Sequence, residues 1–244
     1  MTVLERRRVE AEQAFVLHTY PYSETSLLVE AYSRTHGRLP LLAKGARRPR
    51  SNMRGLLMAF QPLLLGWSGR GEVRSLNRCE WVGGHALLSG DALLCGFYMN
   101  ELLLRLMPRE DAHEVLFDRY LEATAQLANG APHARVLRSF ERALLKELGY
   151  AMTLDREAGG GQTLEADGLY RYELDKGPVR QIDADSIPGV PVFRGQTLLD
   201  IAQENYHDPA TLQQCKQLMR MLINHRLEQR PLYSRNVFMD LQQL

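Results

Sequence analysis

AFVLHTYPYSETSLLVEAYSRTHGRLPLLAK, residues 14–44, is the stretch that decides the fold. Residues 14–20 are short and rich in β-formers, which predicts a strand ending at Pro21. Residues 26–33 (SLLVEAYS) predict a second strand. The turn Arg34-Thr35-His36-Gly37 leads into a third over residues 38–44, and two strands around a Gly-containing turn signal a hairpin. A polar loop follows, residues 45–54 (GARRPRSNMR). Residues 56–67 (LLMAFQPLLLGW) contain Pro62 and so predict a strand that bends or sits partly at an edge. Ser68-Gly69-Arg70-Gly71 turns the chain into residues 72–82 (EVRSLNRCEWV). Five short strands with turn signals between them predict a small closed or nearly closed barrel.

After Gly83-Gly84 the period changes to that of helices. Residues 92–107 are apolar on nearly every side at first, as in a buried helix. Residues 111–128 carry Phe117, Tyr120, Leu121 and Ala128 at helical spacing, and Gly130-Ala131-Pro132 breaks the run. Leu137, Phe140, Leu144 and Leu148 then step by three and four residues, with Gly149 as the stop. Residues 153–191 read as an irregular insertion rich in glycine and acids, with strand-like pieces such as residues 169–174. Residues 197–204 and 209–228 predict two more helices. The second begins with Asp208 as N-cap and Pro209 at the first position, and its expected apolar face is Leu212, Cys215, Met219 and Leu222.

Composition narrows the function classes. The 244 residues are 45% hydrophobic and 24% charged, ordinary for a globular chain. No apolar run is long enough to cross a bilayer, and residues 1–13 lack the apolar core of a signal peptide. This places the chain in the cytoplasm, away from membranes. Cys79, Cys95 and Cys215 stand far apart in no ligand spacing and read as small buried hydrophobes. The net charge of +1 conceals an asymmetry: residues 1–81 hold 13 Lys and Arg against 7 Asp and Glu, whereas the remainder holds 17 against 22. A basic first third suggests a polyanion as partner.

That charge is concentrated. Between Glu30 and Glu72 there is no acid, but there are Arg34, Arg38, Lys44, Arg47, Arg48, Arg50, Arg54 and Arg70, and Arg74 follows closely. An arginine-bearing loop kept out of helix by Gly45 and Pro49 can follow a phosphate backbone without demanding a sequence. Barrel faces and their loops form the usual groove for single strands. The alternative is a solvated charged face. Tyr20, Tyr22, Tyr32 and Trp67 are candidate stacking platforms, and equally candidate core. Arg135, Arg138, Arg142 and Lys146 form a second basic stripe beside the Leu137/Phe140/Leu144/Leu148 face. It suits either an acidic peptide with a hydrophobic end or an ordinary amphipathic helix balanced by Glu141 and Glu147.

Catalytic constellations are missing from the pattern. There is no Gly-x4-Gly-Lys-Ser/Thr, no Gly-x-Gly-x-x-Gly opening a helix and no Gly-x-Ser-x-Gly elbow. Gly159-Gly160-Gly161 reads as a linker, and the seven histidines do not pair at ligand spacing. The pattern calls for no enzyme and no cofactor.

Six collinear segments resemble the RecO family of bacterial DNA-repair proteins: residues 14–28 (AFVLHTYPYSETSLL), 37–47 (GRLPLLAKGAR), 62–73 (PLLLGWSGRGEV), 98–104 (YMNELLL), 138–150 (RSFERALLKELGY) and 231–238 (PLYSRNVF). The resemblance implies an α+β architecture, with an N-terminal OB-fold β-barrel over residues 1–82 and a mainly α-helical domain over residues 83–244. It implies binding and annealing of single- and double-stranded DNA at the nucleoid. It also implies joint work with RecR, and help for RecA in loading onto DNA coated by single-strand-binding protein (SSB). The acidic, Phe-ending SSB tail would be held in the helical domain, with Arg138 at the matching position and Arg135 and Arg142 beside it. Many family members carry a four-cysteine zinc site; residues 154–172 contain no cysteine here, so the resemblance is to the metal-free branch. An adaptor whose basic loop binds an acidic protein is the reading left open beside it.

Overall fold

The computed structural model describes residues 8–84, 86–150, 152–182 and 189–241. Residues 1–7 of the charged N-terminal stretch and residues 183–188 of the expected insertion lie outside the described residues. Two compact units divide the chain, residues 1–131 with 232–244, and residues 132–231.

The first unit is built on a closed five-stranded barrel in the order β1-β2-β3-β5-β4, the Greek-key arrangement of an OB-fold. Its strands are β1 (Arg8–Tyr22), β2 (Ser26–Ser33), β3 (Gly37–Ala43), β4 (Leu63–Ser68) and β5 (Arg74–Trp81). Antiparallel pairing joins β1 to β2, β2 to β3, β1 to β4 and β4 to β5. A short parallel contact of β3 with β5 completes the closure. The interior is filled by Val16, Val29, Ala31, Leu39, Leu41, Leu63, Leu65 and Trp67, all buried. Tyr32 is buried as well, so two of the four candidate stacking rings are core, while Tyr20 and Tyr22 are exposed.

Strand β1 corrects the expectation of a stop at Pro21. It pairs with β4 only over Arg8–Ala14, so its far end has a single neighbour, β2, and Pro21 pairs with Leu27. A proline is tolerated where one edge has no ladder to complete. The strand also carries a bulge: the register runs Val16↔Ala31 and then His18↔Glu30, leaving Leu17 as the extra residue. The Leu17 carbonyl accepts from Asn100 Nδ2 at 2.9 Å, which satisfies a buried acceptor that the bulge would otherwise strand. Strand β4 begins only after Pro62; residues 56–62 are irregular rather than a bent strand.

Three helices belong to this unit: α1 (Gly90–Leu106), α2 (Glu114–Ala128) and α6 (Tyr233–Leu241). Phe15 and Tyr32, facing outward from the barrel, meet Phe117 and Tyr120 of α2 at ring-centroid distances of 4.9–6.0 Å. Tyr120 donates to Asn100 Oδ1 at 2.5 Å. Helix α6 was not anticipated. Its N-terminus is capped from another element: Glu101 of α1 accepts from the Tyr233 and Ser234 amides at 2.9 and 2.8 Å.

The second unit holds α3 (His133–Glu147), α4 (Gly195–Ala202), α5 (Pro209–Arg226) and a three-stranded sheet of order β7-β6-β8. Its strands are β6 (Leu169–Glu173), β7 (Gly177–Arg180) and β8 (Val192–Arg194). The strand-like piece expected at residues 169–174 is β6, which pairs with β7 as a hairpin inside the insertion. Asp208 caps α5 as expected, accepting from the Thr211 amide at 2.9 Å. The buried face of α5 is Thr211, Cys215, Leu218, Met219, Leu222 and Ile223, with Leu212 displaced toward the edge. In α3 the buried set is Val136, Arg138, Phe140, Glu141, Leu144 and Leu145; Leu137 and Leu148 are only half-buried.

Candidate nucleic-acid interface

The loop from Lys44 to Arg54 is a run of tight turns. The Ala46 amide donates to the Ala43 carbonyl, Arg48 to Gly45, Ser51 to Arg48 and Arg54 to Ser51, at 3.0–3.4 Å. Gly45 has φ +68, which a side chain would strain, so the turn chemistry is local. Ala46, Met53 and Leu57 point back into the barrel core. With those three turned inward, Lys44, Arg47, Arg48, Arg50 and Arg54 are left exposed. Among the described residues none of the five lies within ion-pair distance of a carboxylate. A second anchor ties the loop to the β1–β2 turn. The Arg47 amide donates to the Thr25 carbonyl at 2.8 Å, its guanidinium to the Ser23 carbonyl at 3.4 Å, and the Gly45 amide to Ser26 Oγ at 3.3 Å.

Arg34, Arg38 and Arg74 are differently engaged. Arg34 forks onto Asp118 of α2 at 2.8 and 3.2 Å and lies 3.7 Å from Glu114; its hydrogen bonds and charge contact with Asp118 raise its pKa further above arginine's ordinary value. Arg38 donates to Glu30 at 3.0 Å and twice to the Met107 carbonyl, at 3.1 and 3.0 Å. Arg109 reaches the other Glu30 oxygen. Glu30 is itself buried, with 5% of its side chain exposed, and is thus satisfied from both sides. Arg74 donates to Glu110 at 2.6 Å. These three arginines pin the barrel to the segment around residues 107–118. Gly37 lies in the same seam: a Cβ there would stand 2.1 Å from the Asp111 carbonyl oxygen. Arg70 is exposed on the β4–β5 turn.

On α3 the expected stripe also divides. Arg135 is exposed. Arg138 is only 7% exposed and bonds Glu141, itself 1% exposed, at 2.7 Å. Arg142 donates to Glu204 at 2.5 Å and to the Ala202 carbonyl at 2.9 Å. Cys215 is buried in this unit, and burial pushes its thiol up to about 12. Cys79, half-buried in the barrel, is pushed up to about 11 for the same reason. Both thiols are held protonated at neutral pH, consistent with packing roles.

Sequence reasoning did not single out Trp81, Phe97 or His18 as exposed rings. Trp81 is exposed at the end of β5 with its indole N–H donating to Gln61 at 3.2 Å. Phe97, also exposed, lies in an apolar run that gave no sign of which side faces out. His18 was hidden by the bulge, which cannot be read from strand alternation.

Two family models cover almost the whole chain. Recombination protein O N terminal matches residues 8–85, and Recombination protein O C terminal matches residues 87–236. A DNA repair protein RecO of Azoarcus sp. (strain BH72) is 52% identical over 98% of this chain and 99% of its own length. Those of Dechloromonas aromatica (strain RCB) and Nitrosospira multiformis (strain ATCC 25196 / NCIMB 11849 / C 71) are 50% and 47% identical, over 98% and 99% of this chain and 99% of their own lengths.

Proposed function

This chain belongs to the RecO family, and from that premise we propose that it serves DNA repair and recombination as a non-enzymatic mediator that binds and anneals DNA. The observation that carries the proposal is the loop of five exposed cations, Lys44, Arg47, Arg48, Arg50 and Arg54, which have no carboxylate partner among the described residues and are anchored on an OB barrel. Neutralising phosphates on two strands lowers the repulsion that opposes annealing, and counterion release makes the binding steep in salt and tolerant of sequence. No bond is made or broken in this scheme.

The finer parts of the reading come with the family. The protein cooperates with RecR and helps RecA load on SSB-coated single strands. The SSB tail meets α3, where Arg135 and Lys146 are exposed cations. Arg138 and Arg142 already hold Glu141 and Glu204, so a tail carboxylate reaching either one shares its guanidinium with a resident carboxylate or displaces it. Many tethered tails make even a weak grip effective. The deciding experiment is anisotropy titration of a labelled single strand across a salt series, with and without an SSB tail peptide. Binding that weakens steeply with salt, plus separate saturable peptide binding, supports the mediator. Absence of DNA binding at low salt would transfer the basic loop to an acidic protein partner.

A further inference from the structure

We propose that His18, Tyr20 and Tyr22 form a base-stacking row for single-stranded DNA beside the arginine loop, an assignment that rests on the DNA-binding reading above and sharpens it. The argument begins at the bulge. Up to Val16 the register places Val16 opposite Ala31, both inside the barrel, and Phe15 opposite Tyr32, both outside against α2. Without the extra residue Leu17, the same alternation would send positions 18, 20 and 22 inward. With it, Thr19 pairs with the interior residue Val29, and His18, Tyr20 and Tyr22 face out, opposite Glu30, Leu28 and Ser26. One inserted residue therefore converts three would-be core positions into three surface ones.

The outer face of these strands is thereby split. At one end Phe15 and Tyr32 are covered by α2. At the other end the row is uncovered: Tyr20 is 45% and Tyr22 53% exposed. The His18 imidazole meets the Tyr20 ring at 4.4 Å, nearly edge-on, which steadies both rings. Alternate residues on a strand stand roughly 6.8 Å apart, about twice the 3.4 Å rise of one stacked nucleotide. A strand drawn out along β1 can thus offer base faces to the packed His18–Tyr20 pair and to Tyr22 in turn.

What turns an exposed row into a nucleic-acid subsite is its neighbour. A single exposed tyrosine is ordinary surface. This row ends at the β1–β2 turn, and the Arg47 hydrogen bonds to Ser23 and Thr25 hold the cationic loop against that turn. Phosphates on the arginines and bases on the rings is the pairing that single-strand binders use, tolerant of sequence because every base has a π-face. A duplex keeps its bases stacked on each other and gains nothing from the row.

The test uses the full chain and three probes: a labelled single strand, the same backbone without bases, and a duplex. The wild type binds the base-bearing strand about tenfold tighter than the base-free one, the gain expected of stacking. Tyr20→Ala/Tyr22→Ala brings the two affinities together while leaving duplex affinity and salt slope unchanged; Tyr20→Phe/Tyr22→Phe keeps the gap. If the alanine variant still discriminates, or the wild type never does, the row is overturned while the arginine loop stands. If the wild type binds none of the probes, the DNA-binding reading falls and the row falls with it.

Discussion

Arg38 and the loop arginines look alike in the sequence, and the structure separates them into a latch and a free surface. Arg38→Ala would remove one of the two partners of a carboxylate that is 5% exposed and free the Met107 carbonyl from two hydrogen bonds. Leaving a buried charge half-compensated costs about 3–5 kcal/mol. Arg109, itself 46% exposed, stays on Glu30 and offsets part of that loss. A net cost of about 3 kcal/mol is expected, which lowers the melting temperature by roughly 6–12 °C for a chain of this size. The salt dependence of single-strand binding, measured well below the variant's melting point, should not change. The triple replacement of Arg47, Arg48 and Arg50 by Ala should do the opposite. Melting should shift little, because exposed sites are worth within about 0.5 kcal/mol, and the salt slope should become shallower by roughly 2. Calorimetric melting and anisotropy titrations of both variants decide the matter. An Arg38→Ala protein with unaltered melting and a shallower slope would show that Arg38 contacts phosphate and that the latch is misread.

Three further outcomes follow from particular contacts. Gly37→Ala sets a Cβ against the Asp111 carbonyl at 2.1 Å with φ at +66, so it should cost more than about 3 kcal/mol in chemical denaturation; a neutral result would mean the seam around residue 111 moves freely. Arg138→Ala removes the ion pair of a carboxylate that is 1% exposed and should destabilise by about 3 kcal/mol, whereas Arg138→Met/Glu141→Leu should recover most of it; equal loss in both would deny that the buried charge is the cause. Asp208, whose carboxyl the Thr211 amide holds below the usual aspartate range, contributes above its unfolded pKa of about 3.9 and loses that contribution as pH falls through the depressed folded value. Asp208→Ala should therefore melt lower than wild type at pH 7, with the gap closing in acid; a gap independent of pH would refute the cap.

The barrel was legible because its information is local. Residues 26–33 form a short run that ends at a turn, and β2 occupies those residues; Asp208-Pro209 announces α5, and α5 starts there. The failures are equally physical. Pro21 stops a strand only when both edges need donors, and β1 has one neighbour at that end. The start of α6 carries no cap of its own, since Glu101 supplies it across more than 130 residues of chain. Within residues 153–191 the strand-like piece at residues 169–174 is β6; its partner β7, opening on Gly177-Pro178, carries no strand pattern of its own.

The candidate interface shows the same division more sharply. A run without acids looked like one surface because local sequence shows only local charge. Yet the carboxylates that occupy Arg34 and Arg74 are 84 and 36 positions away, on α2 and the turn before it. Those acids belong to the segment that gave the rest of the chain its negative balance. Charge segregation between parts of a chain can therefore arise from two causes at once: a face kept free for a polyanion, and a seam where one part of the fold neutralises the other. The arginines left over after that neutralisation are the ones backed by Ala46, Met53 and Leu57 in the core. An inward apolar anchor every few residues fixes the loop while turning its charges to solvent. A seam arginine substituted by lysine should accordingly lose its bidentate geometry and some stability, while a loop arginine substituted by lysine should keep its phosphate contact.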